Sequence, residues 1–501
     1  MNQPIASINP PSRPFLPFWL LAGFSILFVL PSARLWLQRP LRLIEFEFEY
    51  FLGLFADSDA DTQLAVIAAD KLIHFAGFLF IGMLYAICVE SVRQHTELFS
   101  WWFLILFSTI LWAAFTLAMP WVSPDVFFYI GKGWLDSHYN LSPYLNSMSD
   151  VNGFNTEEMF RNVYPGFLHI PGTYGPLFQW IAKGIAILSG GSEILALTLH
   201  KALYLAVHAA SCFLLIRLVP EASAKWAFIF FACNPLILFS ILACAHNDHL
   251  MTFLVLATFA LRQARRPLLC GVALGAAFAI KYIPVLLLPL FLMDLILGKN
   301  TSTPLSRRIG QALTLVGGFV LALLAFYGLY PEGVLGFLRI IGYDHWLQDA
   351  GDGGGGIGIY RNSIYHLFLT LRFADMKVVF LSAYTLLVAW LILRARSCDP
   401  LPLAGASLTC YLLFFLLLNQ TNQEWYLTWI MPFVPLIGTK EVRRFGYQIS
   451  AIFLPIIIFT VKDPPIVVLV ANVMGYMVIL CFSVILLLHS LTTRRSAAIP
   501  T

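Results

Sequence analysis

Asp125 stands in Ser123-Pro124-Asp125-Val126-Phe127-Phe128-Tyr129, a few positions beyond the apolar run Trp101 to Met119, and opens a polar stretch that reaches Tyr174-Gly175-Pro176-Leu177-Phe178. A carboxylate at the exit of a spanning helix, followed by a long loop, is placed to act as a base on a substrate whose tail stays in the bilayer. Lys281, in Phe278-Ala279-Ile280-Lys281-Tyr282-Ile283-Pro284, interrupts an otherwise apolar run. An ammonium there is costly unless paired or wet, so function is the first reading; snorkelling to an interface, or pairing with an acid such as Asp294, is the competing one. Lys132 and Arg361 are second-choice cations. His246-Asn247-Asp248-His249 puts two imidazoles and a carboxylate within four residues. Consecutive helical residues point to different faces and no second His or Cys cluster has ligand spacing, so no metal is expected. Polar groups at a helix break can also serve only to satisfy freed backbone.

The elements that position these residues are membrane helices. The chain has 501 residues, 59% hydrophobic and 12% charged, with a mean hydropathy of +0.78, the composition of a polytopic membrane protein. Roughly 13 or 14 apolar runs approach bilayer length, near 15–30, 72–90, 100–119, 176–190, 195–219, 226–246, 249–261, 268–297, 309–330, 376–393, 402–419, 425–438, 446–461 and 465–490. The expected architecture is all-α: N-terminal membrane segments over 1–99, a catalytic membrane module over 100–300 with external loop 120–175, and C-terminal helices over 301–501 with external loop 332–375.

The net charge of +4 gives no reason to expect nucleic acid, so its distribution matters more. Basic residues concentrate in short connections: Arg262, Arg265 and Arg266; Lys299, Arg307 and Arg308; Arg394 and Arg396; Lys440, Arg443 and Arg444; Arg494 and Arg495. These read as cytoplasmic, and the acidic loop with Asp125, Asp136, Asp150, Glu157 and Glu158 reads as external. Three crossings counted from 176 to 246 would put His246 on the basic side, unless 268–297 is a broken hairpin and an earlier run is also split. Pro235 and Pro284 mark places for such breaks. All eight cysteines fall in or beside apolar runs without a CxxC pair, so neither disulfides nor zinc are expected. The first apolar run reads as a retained helix.

The ordered segments Ser123 to Tyr129, Gly131-Lys132-Gly133, Leu141-Ser142-Pro143-Tyr144, Tyr174 to Phe178, Asn234-Pro235-Leu236 and Ala245-His246-Asn247-Asp248 resemble the motif series of the polyprenol-phosphate-mannose-dependent α-mannosyltransferases of the GT-C glycosyltransferase superfamily. The likeness covers roughly 100–290, and 420–435 loosely. Pro124 stands where such proteins usually carry a basic or small residue, and Asn422-Gln423-Glu424-Trp425-Tyr426 lacks the His that some carry beside the Trp. A shorter segment, Asp70 to Phe75, is similar to a signature of VanZ-like membrane proteins, but an interfacial helix start with locally paired charges, Asp70 and His74 lying on one face, is the favoured reading.

The resemblance implies transfer of a sugar from a polyprenyl-phosphate donor to a lipid-linked or glycan acceptor, at the external face of the plasma membrane and without a cofactor. A phosphate leaving group departs as an anion and needs no general acid, so one base suffices, with cationic or hydrogen-bonding groups to stabilise the departing charge. Asp125 is the expected base. Tyr129, Lys132, Tyr144, Tyr174, His246, Asn247, Asp248, Lys281, Arg361, Gln423, Glu424 and Trp425 are the expected substrate contacts. The glycine-rich stretch Gly351 to Gly358 lacks the strand and GK[ST] ending of a nucleotide loop and reads as a flexible lid. A transporter would show two related halves, and none is found; a non-catalytic assembly protein would make the motif order a coincidence.

Overall fold

The computed structural model describes residues 14–33, 60–120, 123–297, 303–341, 377–394, 400–418 and 424–456. Among them the regular structure is entirely helical. We label the helices α1 (Leu16–Ala33), α2 (Ala60–Gln94), α3 (Trp101–Leu117), α4 (Asp125–His138), α5 (Pro176–Ser189), α6 (Glu193–Leu218), α7 (Glu221–Ala232), α8 (Asp248–Gln263), α9 (Pro267–Ile280), α10 (Leu288–Leu297), α11 (Leu305–Leu329), α12 (Gly333–Ile341), α13 (Lys377–Arg394), α14 (Pro400–Leu417) and α15 (Lys440–Ile456). Four segments among the described residues are long and apolar enough to cross a membrane: Phe75–Gln94, Glu193–Leu218, Glu221–Ala243 and Leu305–Leu329. Shorter apolar helices, among them Trp101–Leu117 and Pro267–Ile280, accompany them. The expected runs at 465–490 and the stretches 34–59 and 342–376, with the glycine-rich segment, lie outside the described residues, as do the side chains of Asp70 and His74.

Local chemistry sets where the elements start and stop. The Ser100 hydroxyl accepts the Phe103 N–H at 3.1 Å and the Ser192 hydroxyl the Leu195 N–H at 3.3 Å, opening α3 and α6. Pro176 and Pro267 occupy first helical positions, where no N–H is needed. Asn234 accepts the N–H groups of Leu236 and Ile237. Pro235 therefore starts a short turn that runs directly into a π-helical segment, Leu238–Ala243, and the span stays continuous to Ala243.

Run directions follow from contacts between the helices. Pairs Tyr129–Phe178, Lys132–Gln179 and Asp136–Lys183 set α5 parallel to α4. The Gly175 N–H donates to the Ile280 carbonyl, and a Cβ on Gly175 would strike the Ala279 backbone, so α5 begins where α9 ends. The run at 176–190 thus starts at the site end of α9 and packs along α4. The run at 268–297 does turn back on itself. α9 and α11 lie in parallel contact through Gly271 and Gly318, and Asp294 near the end of α10 pairs with Arg262 at the end of α8. The reversal occurs at Lys281, whose backbone is extended (φ −150°, ψ 137°), three residues before Pro284.

Arg262, Arg265, Arg266, Arg307 and Arg308 therefore gather at one end of these helices, and Asp125, His246, Asp248 and Lys281 at the other. The loop between α4 and α5 folds over the second end. There the Asn162 amide donates to Glu193 at 2.8 Å, tying the loop to the first turn of α6.

Candidate active site

Asp125 is the first residue of α4, immediately after Pro124, and its side chain is 16% exposed. Burial raises its carboxyl to about 6, against the opposing Lys281 charge and a Ser123 hydrogen bond, and neighbouring Asp248 adds to the rise. The break between the π segment and α8 delivers His246, with Ala245 in the left-handed region at φ 58° to make the turn. His246 Nδ1 lies 3.6 Å from Asp125 Oδ2, and its ring stacks on Trp425 at 4.1 Å and 17°. That spacing is longer than a hydrogen bond.

Asp248, the first residue of α8, is fully buried. Its Oδ1 accepts the Lys281 ammonium at 2.7 Å and the Trp429 indole N–H at 2.5 Å. The ammonium also lies over the rings of Tyr426 (4.5 Å), Trp429 (5.0 Å) and Tyr174 (5.9 Å). The acid that pairs with Lys281 is therefore Asp248; Asp294, the partner considered from sequence, is held by Arg262 at 2.7 Å. Both His246 ring nitrogens, Asn247 Nδ2 and Asp248 Oδ2 are buried without a hydrogen-bond partner. Buried polar atoms are ordinarily satisfied, so their concentration here marks a candidate site for a polar ligand.

The Tyr129 hydroxyl donates to Asn247 Oδ1 at 3.5 Å and receives the Tyr174 hydroxyl at 3.5 Å, with the two rings edge to face. Tyr144 instead braces the loop: its hydroxyl donates to the Tyr174 carbonyl at 2.9 Å. Lys132, also expected at the site, donates to the Asn146 carbonyl at 3.1 Å and packs over Phe128. Arg361 and Gln423 lie outside the described residues, and Glu424 opens the 3-10 segment Glu424–Trp429 without a described side chain. Among the described residues no group of three or more His, Cys, Asp or Glu is arranged to hold a metal ion.

Sequence reasoning passed over one set of groups. His200, Lys201, Tyr204 and His208 form a buried polar stripe on α6 that faces the site. The His200 ring is 6.5 Å from that of Tyr129, the Tyr204 hydroxyl is buried without a partner, and His208 Nδ1 meets His249 Nε2 at 3.1 Å. The signal was present: four polar residues at helical spacing inside an otherwise apolar span.

A carboxylate next to an imidazole, a buried ion pair and a row of unpaired polar atoms suit proton abstraction beside an anionic, hydroxyl-rich ligand. Residues 58–296 match the family model described as the N-terminal domain of α-(1→6)-mannopyranosyltransferases. The chain is mannosyltransferase-like. It is 25% identical to an α-(1→6)-mannopyranosyltransferase of Mycobacterium tuberculosis over 68% of this chain and 66% of that protein. It is 27% identical to a probable α-(1→6)-mannopyranosyltransferase of Mycolicibacterium smegmatis over 70% and 67%, respectively. α-(1→6)-mannopyranosyltransferase A of Mycobacterium tuberculosis is 24% identical, over 67% of this chain and 65% of that one. The match thus spans about two thirds of each relative's length. No solved structure matches the chain at comparable stringency. The matched region holds Asp125, the His246 to Asp248 segment and Lys281.

Proposed function

We propose that the protein is a multi-pass membrane hexosyltransferase of the GT-C type that moves mannose from a polyprenyl-phosphate donor to a lipid-linked or glycan acceptor, at the external face of the plasma membrane and with inversion. The reading is carried by the placement of Asp125 3.6 Å from His246, at the same end of the bundle as the Lys281–Asp248 pair. Asp125 takes the acceptor hydroxyl proton as that oxygen attacks the anomeric carbon. The bond from carbon to phosphate oxygen breaks, its electron pair leaves on the phosphate, and the Lys281 ammonium faces the departing charge. Asn247, Asp248 and His246 offer their unpartnered atoms to the donor. If the product carries the α-(1→6) linkage in the relatives' names, inversion requires a β-linked donor. The decisive assay uses purified protein with radiolabelled polyprenyl-phosphate-mannose and a panel of glycan and lipid acceptors; no mannosylated product from any acceptor would refute the reading.

The pH dependence follows from the environment of Asp125. A base must be deprotonated to work, and this carboxyl is raised to about 6. Turnover per donor encounter is therefore flat above neutrality and falls as pH drops through about 6, approaching tenfold per unit. A profile still flat at pH 5 would remove Asp125 as the base.

Sidedness has its own test. A cysteine replacing Ser149, in the loop over the site, reacts with an impermeant thiol reagent on intact cells, and one replacing Thr439, beside Lys440, does not. The reverse pattern would place the site in the cytoplasm, where nucleotide sugars compete as donors.

A further inference from the structure

The geometry points to Lys201 as a positioning residue that sets the distance between Asp125 and His246; this inference rests on the mannosyl-transfer reading above. Lys201 is 2% exposed and sits in the middle of α6. Its ammonium donates three hydrogen bonds, to the carbonyls of Ala118 (2.6 Å), Leu242 (2.9 Å) and Ala243 (2.7 Å). An ammonium has three protons, so its capacity is filled.

Those three acceptors are the ends of two arms. Ala118 caps the C-terminus of α3, and the chain then runs seven residues to Asp125. Leu242 and Ala243 end the π-helical segment, three residues before His246. Each helix end leaves carbonyls without an intrahelical partner and carries roughly half a negative charge. Two such ends facing each other repel, and together they present roughly the one negative charge that a buried ammonium needs. Lys201 satisfies both requirements with one group, and so clamps the arm bearing the base to the arm bearing His246, Asn247 and Asp248.

The clamp predicts a split between binding and turnover. The donor-facing groups His246 and Asp248 follow the π segment in the chain and Lys281 joins them through its ion pair with Asp248, so all three share one side of the clamp, whereas Asp125 hangs from the other. Losing the ammonium displaces Asp125 relative to the bound donor and leaves the donor groups together. Lys201→Met, of similar length and apolar, is expected to lower kcat at least thirtyfold with the donor Kd within threefold of wild type. Lys201→Gln keeps two N–H donors and falls between, giving the order Lys, Gln, Met in kcat at constant Kd. Lys201→Ala removes the atoms that propylammonium supplies, so millimolar propylammonium raises its kcat at least tenfold and propan-1-ol does not.

A second readout needs no donor. With Asp125→Cys and His246→Cys combined, a short bis-methanethiosulfonate reagent bridges the two positions when Lys201 is present, and at least tenfold less when it is Met. Absence of transfer in wild type, with cross-linking behaving as stated, would overturn the mannosyl-transfer reading and leave the clamp standing. Wild-type kcat in Lys201→Met, equal cross-linking in both backgrounds, or a parallel collapse of melting temperature, Kd and kcat without rescue would overturn the clamp.

Discussion

If Asp125 is the base of the proposed mannosyl transfer, Asp125→Asn is expected to lower turnover by two or more orders of magnitude, the scale of a lost general base, without loss of folded protein. The second half of that expectation comes from the environment of the carboxyl. Its value of about 6 lies above the ordinary 3.8, so the charged form is disfavoured in the folded chain. For a group raised in this way, its contribution to stability is present at low pH and is lost as pH rises from the ordinary value through about 6. At pH 7 the wild-type carboxylate therefore costs on the order of 3 kcal/mol that a neutral amide does not. Asp125→Asn is predicted to melt no lower than wild type in detergent while its turnover collapses. Turnover near normal in the Asn variant would rule out the assigned base; a lower melting temperature would show that the carboxylate serves the fold.

Asp248→Ala produces the largest loss of stability among the site residues. Removing one member of a buried ion pair leaves the other uncompensated, at a cost of roughly 3–5 kcal/mol. Here it strands the Lys281 ammonium, and the Trp429 indole N–H also loses its acceptor. Lys281→Met alone strands Asp248 in turn and weakens donor binding, whereas Lys281→Arg retains part of it. The combination Asp248→Ala with Lys281→Met is predicted to melt higher than either single variant, because no unpaired charge remains. Melting curves of the four proteins form the cycle; additive losses in the double variant would mean that the pair is not coupled, and unchanged donor affinity in Lys281→Met would assign the lysine to structure.

Composition alone made the helical class readable, and the Ser123 to Tyr129 segment led to Asp125, because a carboxylate at the mouth of an apolar run stands out in one dimension. Lys281 stood out for the same reason. Its partner did not: Asp294 is closer in sequence, yet the turn at Lys281 carries Asp294 to the far end and brings Asp248, 33 residues upstream, within 2.7 Å. The anchoring of α5 by Gly175 to the end of α9 was not legible either, since a contact between backbones leaves no mark on an apolar profile. The α6 stripe is legible in one dimension as well, as four polar residues at helical spacing inside an apolar span.

The reversal at Lys281 also bears on how the chain is made. Asp248 leaves the ribosome 33 residues ahead of Lys281, an interval of roughly two to seven seconds at 5–20 residues per second. During it the acid has no countercharge, and the positive charge, once made, must be handed inward by a tight double-back of two apolar arms. The ion pair can therefore close only after Lys281 has been made and the chain has turned back at that residue.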